Sequence, residues 1–215
     1  MQKKQKKIAL WFLDLGINIV VIFVLVMIIQ KWLIAPFDIS GSSMCNTLNF
    51  LNNGCVTGYG EKIIINEAKY IFTDPQRGEI VVFKTLGSGD KYFIKRVIGL
   101  PGETVEINNG KVFVNGAELE ESYLNEGNQG NTRVFFSDLS VFEVPEDHYF
   151  LLGDNRVQST DSRSCFQSTI MESCRSNPQQ AFVHEDLIRG KAWVVWWPIT
   201  KIRIVGMPDY AVSES

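Results

Sequence analysis

The chain has 215 residues, of which 45% are hydrophobic, 21% charged and 12% aromatic, with a formal net charge of −3. That length holds a membrane anchor plus one domain able to bury its own core, and excludes a second full domain; moderate Gly and Pro content excludes long disorder away from the termini. With the four lysines of the N-terminal tail and Asp14 set aside, 17 Lys and Arg remain against 23 Asp and Glu, which argues against nucleic-acid binding.

Residues 1–7 form a basic tail carrying Lys3, Lys4, Lys6 and Lys7. The apolar run 8–34 is long enough to cross a bilayer. Trp11 and Trp32 bracket it roughly 31 Å apart at helical rise, as interfacial anchors do. Lysines crowd its N-terminal side, and Lys31 alone lies close to its far end, so the N-terminus is expected in the cytoplasm and everything after Trp32 outside. A cleaved secretory signal fits less well, because the run exceeds a typical apolar core and no Ala-x-Ala site follows. Asp14 and Asn18 share one face of this span. Asp14 is close enough to the cytoplasmic end to reach water, and Asn18 can find a backbone partner.

Beyond the span, β-branched and apolar runs at 62–65, 79–84, 92–98, 104–107 and 111–114 alternate with turn residues and predict an antiparallel β fold. Asn108-Asn109-Gly110 marks a hairpin, since Asn and Gly tolerate the positive φ of tight turns, and Asn115-Gly116 ends the next strand in the same way. The polar stretch 121–132 reads as a surface loop. Runs at 141–152, 191–197 and 202–205 supply later strands, and helix content outside the span is expected to be low.

Chemistry concentrates in three blocks. The first is Ser40-Gly41-Ser42-Ser43-Met44 with Thr47-Leu48 soon after, a few residues past the span, so a serine nucleophile there would sit almost at the membrane surface. The second, 93–103, places Lys95 between Phe93, Ile94, Val97 and Ile98. A serine needs a base, and a lysine with a reference pKa of ~10.4 can serve only if burial lowers that value by several units. The third, 153–163, runs Gly-Asp-Asn-Arg-Val-Gln-Ser-Thr-Asp-Ser-Arg.

In this order behind a single anchor, the blocks resemble the bacterial type I signal peptidases (leader peptidases), serine peptidases with a Ser-Lys dyad. The resemblance runs to about Trp197 and includes Arg77-Gly78-Glu79-Ile80-Val81-Val82, Val144-Pro145 and Gly190-Lys191-Ala192. It implies a mainly β protein: tail 1–7, transmembrane helix 8–34, an antiparallel β catalytic domain of 35–100 and 148–210, and a small inserted β subdomain, 101–147. The implied activity is removal of signal peptides from exported preproteins at the bacterial plasma membrane, cleaving after small residues at −3 and −1, without cofactor or metal. Preprotein signal peptides and the lipid bilayer are the implied partners; oligomeric state stays open.

Residue by residue, the resemblance makes Ser43 the nucleophile, as the serine directly before Met44, and Lys95 the general base. Ser159 is implied to orient the lysine, Asp161 and Arg163 to form a structural ion pair, and Asp154 to partner Arg96. Phe37, Ile39, Met44, Leu48, Phe93 and Ile94 match positions lining shallow pockets beside a substrate strand added between the segment before Ser43 and the strand before Lys95. The Ser43 N–H is the implied oxyanion donor; Gly41 stands where some relatives place a second, side-chain donor.

The chain departs from that pattern at Cys45, at Asn46 in place of a proline, and in two extra stretches, 49–60 and 164–180. The first carries Cys55, a near neighbour of Cys45, and the second carries both Cys165 and Cys174. Four cysteines allow three pairings, and proximity favours Cys45 with Cys55 and Cys165 with Cys174, each closing an inserted loop. Zinc is the rival reading, but there is no Cys-x-x-Cys, and His148 and His184 show no ligand pattern. Those histidines also raise a Ser-His-Asp alternative. A self-cleaving Ser-Lys repressor and a non-catalytic, membrane-tethered peptide-binding module of the same fold are the remaining alternatives.

Overall fold

The computed structural model describes residues 2–85, 91–135, 139–167, 174, 176–208 and 210. Helix α1 (Gln2–Trp32) opens the chain. Its segment Leu10–Met27 has a mean hydropathy of 2.5 and packs against nothing else in the protein. With Asp14 as its one charged residue and no protein partner, this segment is long and apolar enough for a bilayer to be its solvent. The helix stops short of the expected end at residue 34. Pro36 biases the residue before it to extended geometry, and Ile34 already pairs with Asn66 in a sheet.

The strands are β1 (Ile34–Ser40), β2 (Phe50–Leu51), β3 (Gly54–Cys55), β4 (Tyr59–Asn66), β5 (Ile80–Lys84), β6 (Tyr92–Gly99), β7 (Thr104–Asn108), β8 (Lys111–Val114), β9 (Ala117–Glu118), β10 (Val141–Glu143), β11 (His148–Leu152), β12 (Phe182–His184), β13 (Ile188–Trp197) and β14 (Arg203–Ile204). One short helix, α2 (Lys69–Phe72), follows β4. The large antiparallel sheet runs β1-β4-β13-β5-β6-β11-β12, with β14 beside β13; the small one runs β10-β7-β8-β9. The mainly antiparallel β fold is therefore as expected.

The run 141–152 is not one strand. Pro145 has no N–H to give a ladder, and Asp147 sits at φ 60°, so the chain turns and passes from the small sheet (β10) to the large one (β11). The β7–β8 hairpin closes on Asn109 and Gly110, both at positive φ, as the sequence predicts.

Alternation in β4 sends Ile63 and Ile65 into a core with Ile39, Met44, Leu48, Ile80, Val82, Ala192 and Val195. This core lies behind the serine-bearing loop. A second cluster, including Ile98, Val105, Phe142, Val144, Phe150 and Leu152, locks the small sheet to the large one.

The stretch 121–132 is more than a surface loop, because Leu124, Asn128 and Thr132 are buried. Arg156 pulls it inward by donating to the Glu121 carboxylate, the Thr132 hydroxyl and Tyr123. The structure joins Cys45 to Cys55 and Cys165 to Cys174. Part of the second inserted stretch, 168–173 and 175, lies outside the described residues.

Two unpaired backbone edges face each other. β1 ends the large sheet, with β4 as its only strand partner among the described residues. β6 pairs with β5 over Tyr92–Arg96, but β11 reaches only Arg96–Gly99, leaving 92–95 open on that side.

Candidate active site

The cleft between those edges has a volume of about 1050 Å³ and is lined by β1, the turn through Ser43, and residues 91–95. The Phe37 and Tyr92 rings meet edge to face across one end, 5.2 Å apart. Ser43 and Lys95 meet at the other. The two walls therefore run parallel, with a slot for an extended peptide between them.

Ser43 is carried on a tight turn after β1. Gly41, at φ 89°, lets the chain turn there. Buried Asn49 fastens the turn from behind, its side-chain amide donating to Gly41 O at 3.0 Å and its Oδ1 accepting from Glu61 N–H at 2.7 Å. A tight turn follows, closed by Leu48 N–H to Met44 O. It rotates Met44 and Leu48 into the core, so of the six expected pocket residues Phe37, Ile39, Phe93 and Ile94 line the cleft, and Met44 and Leu48 support it from beneath.

Lys95 is 2% exposed. Its Nζ lies 2.7 Å from Ser43 Oγ and donates to Ile94 O at 2.7 Å, with the Phe93 ring 5.8 Å away. Burial pushes its pKa down from 10.5 to about 8, against the opposing charges of Asp161 and Asp154 and with help from Arg163. A side chain that is normally a cation thus becomes a usable base near neutral pH.

The ion pairs form a frame around this contact. Arg96 binds Asp154 through two hydrogen bonds, 2.8 and 2.6 Å, and donates to Gly78 O. Asp154 also accepts from the Thr47 hydroxyl, and the Arg96 guanidinium lies 4.1 Å from the centroid of the Tyr123 ring. One carboxylate thereby ties the lysine's strand to the serine's loop. Burial alone would raise the Asp161 carboxyl, but the Arg163 charge, two hydrogen bonds from its guanidinium, Gly153 N–H and Ser159 hold it below the usual range.

Both Asp161 and Arg163 are buried. Asp161→Asn is expected to cost about 3–5 kcal/mol by leaving a guanidinium uncompensated. It also removes a charge that holds the Lys95 pKa up, so whatever activity survives should persist to lower pH. Thermal unfolding and a pH–rate profile of the variant check both effects.

Ser159 departs from expectation. Its hydroxyl contributes to holding Asp161 low, but it is buried outside hydrogen-bond geometry with every described group, Lys95 included. The lysine's hydrogen bonds run to Ser43 and to Ile94 O. Gly153 explains the tight fit: a Cβ there would lie 2.1 Å from Ser159 Oγ and 2.5 Å from Ser43 O. His148 and His184 meet edge to face at the β11–β12 edge and do not line the cleft, which leaves Ser43 without a histidine base.

Thr47, Tyr123, Gly153 and Asn155 belong to the site but were not singled out for it by sequence. Thr47, Gly153 and Asn155 lie inside the quoted blocks, and that is the signal that could have found them. Tyr123 carries none, because it arrives from the small-sheet side.

The family described as signal peptidase, peptidase S26, matches residues 12–197. A signal peptidase I from Bacillus amyloliquefaciens is 34% identical over 166 residues, covering 76% of this chain and 82% of that one. Signal peptidase I T from Bacillus subtilis is 30% identical over 206 residues, 94% of each chain. A crystal structure of a signal peptidase I from Enterococcus faecalis is 32% identical, with a TM-score of 0.40 over 55% of this chain and 97% of that one.

Proposed function

The chain belongs to the signal peptidase family, peptidase S26, and is a serine endopeptidase of the signal-peptide-removing kind; we propose that Ser43 is its nucleophile and Lys95 its general base. The observation that carries this reading is the 2.7 Å approach of Lys95 Nζ to Ser43 Oγ by a lysine that is only 2% exposed.

The preprotein adds an extended strand between β1 and residues 92–95, its backbone groups completing the two open edges. Small side chains at −1 and −3 fit against Ile39, Phe37, Phe93 and Ile94. Neutral Lys95 takes the proton of Ser43 Oγ as that oxygen bonds to the scissile carbonyl carbon. The resulting oxyanion accepts from the Ser43 N–H. As the C–N bond breaks, the Lys95 ammonium returns the proton to the departing amine. Water, deprotonated by the same lysine, then hydrolyses the acyl ester. Ser159, buried beside Asp161, turns its hydroxyl to the lysine ammonium during this cycle, and the Arg96–Asp154 and Asp161–Arg163 pairs fix the geometry.

The α1 helix is the membrane tether. With the N-terminus in the cytoplasm, it sets the cleft at the outer face of the bacterial plasma membrane, where a signal helix in the same bilayer emerges. Cleavage of preproteins varied at −1 and −3, with Ser43→Ala as control, tests the reading. Processing should require small residues at both positions and vanish in the control; cleavage by Ser43→Ala overturns the assignment.

The active form of Lys95 is the neutral one. kcat/KM is therefore expected to rise with pH through about 8 and to level off above it. A steady-state pH profile checks this.

A further inference from the structure

The Ser43 N–H belongs to the peptide plane whose other end is the Ser42 carbonyl. In a planar trans peptide these groups point in opposite directions, so whatever fixes Ser42 C=O also aims Ser43 N–H. Two donors hold that carbonyl: Cys45 N–H at 3.0 Å, from within the turn, and Asn155 Nδ2 at 3.1 Å, from 113 residues away. The next carbonyl, Ser43 O, accepts the Asn155 backbone N–H at 3.0 Å. Asn155 thus grips the peptide planes on both sides of the Ser43 Cα.

The gripping residue is itself held. Asn155 is 8% exposed, and its Oδ1 accepts from Gln158 N–H at 3.1 Å, which leaves Nδ2 directed to Ser42. It directly follows Asp154, whose carboxylate is locked to Arg96 beside the base. Two adjacent residues therefore hold the base's strand and the oxyanion donor's peptide in one rigid relation. Gly41, two positions before Ser43, has no side chain to share the donor's task.

We propose that Asn155 is a positioning residue for acyl transfer: its side-chain amide, through the Ser42 carbonyl, aims the Ser43 N–H at the developing oxyanion. This rests on Ser43 being the nucleophile. Losing an oxyanion donor costs 10²–10³-fold in kcat in other serine peptidases; misaiming one by releasing its peptide plane should cost about 10- to 100-fold.

The test uses the full-length enzyme with Asn155→Leu, nearly isosteric, and Asn155→Ala. Both keep the backbone N–H that docks on Ser43 O, and neither adds charge near Lys95. Each is assayed with a preprotein substrate and with two inhibitors, a peptide aldehyde ending in Ala-Leu-Ala and the matching peptide alcohol. The aldehyde adds Ser43 Oγ and places an oxygen at the oxyanion position, whereas the alcohol only fills the cleft.

In both variants kcat and aldehyde affinity should fall together by about 10- to 100-fold. KM and alcohol affinity should stay within about twofold, and the midpoint of the pH profile should not move. Unchanged kcat in both variants, alcohol affinity lost as strongly as aldehyde affinity, or a shifted midpoint would overturn the role. Equal affinity of the unaltered enzyme for aldehyde and alcohol would instead overturn Ser43 as nucleophile.

Discussion

Lys95→Met is expected to abolish turnover and, at the same time, to stabilise the folded protein at neutral pH. The side chain is buried, and its pKa falls from 10.5 to about 8. The unfolded chain therefore binds this proton more tightly than the folded one. Between about pH 8 and 10.5 unfolding takes up a proton, so stability contributed at this site rises with pH. Below pH 8 the folded state carries the whole cost of burying the ammonium, about 3 kcal/mol at 1.36 kcal/mol per pKa unit. Methionine is similar in length and carries no charge, so the variant should gain about 2–3 kcal/mol at pH 7. The gain should fade between about pH 8 and 10.5 as the native lysine becomes neutral in both states. Urea unfolding of the two proteins at pH 7 and pH 10, beside a cleavage assay, measures both effects. A methionine variant that is no more stable at pH 7, or that still processes preprotein, contradicts the role given to this lysine.

Gly153→Ala is expected to cost about 10²-fold or more in kcat by a purely geometric route. The added Cβ would approach Ser159 Oγ to 2.1 Å, Ser159 Cβ to 2.6 Å and Ser43 O to 2.5 Å. Ser159 can be shortened, but the Ser43 carbonyl is backbone held by Asn155 N–H. Relief must then come from moving the nucleophile's own peptide. Combining Gly153→Ala with Ser159→Gly removes two of the three close contacts and leaves the one to Ser43 O, so the double variant should not regain activity. Restoration by the second substitution, or activity of Gly153→Ala within a few-fold of the native enzyme, would show that the Ser43 peptide has room to spare. Either result is read from single-turnover rates beside a thermal melt.

Much of this site was legible in the sequence because its chemistry is concentrated in short blocks. Ser43 stands next to Met44, Lys95 next to Arg96, and Asp154, Asp161 and Arg163 within one run. Strands with clean alternation, such as 62–65 in β4 and 111–114 in β8, were also legible, since period two is a local property. The failures share a physical cause. The 121–132 stretch is polar along its length and reads as solvated, yet buried Arg156 binds Glu121 and Tyr123 more than thirty residues away. Met44 and Leu48 were expected as pocket walls, but the tight turn after Ser43 directs them into the core beneath the cleft. Pro145 could have divided 141–152 in advance, because proline seldom occupies a ladder position. Asn155 lay in plain view beside Asp154. Its use depends on where residues 153–155 dock against 42–43, which no local pattern specifies.

The claim that Ser43 is a serine activated by buried Lys95 is tested most directly by covalent labelling. The full-length protein is treated with a penem-type acylating probe across pH, and the modified residue is identified by mass spectrometry. A single adduct on Ser43 is predicted, forming at a rate that rises through about pH 8 and failing to form in Lys95→Met. An adduct on Ser40, Ser42 or Ser159, labelling of the Lys95→Met variant at the native rate, or an unlabelled native protein would contradict it.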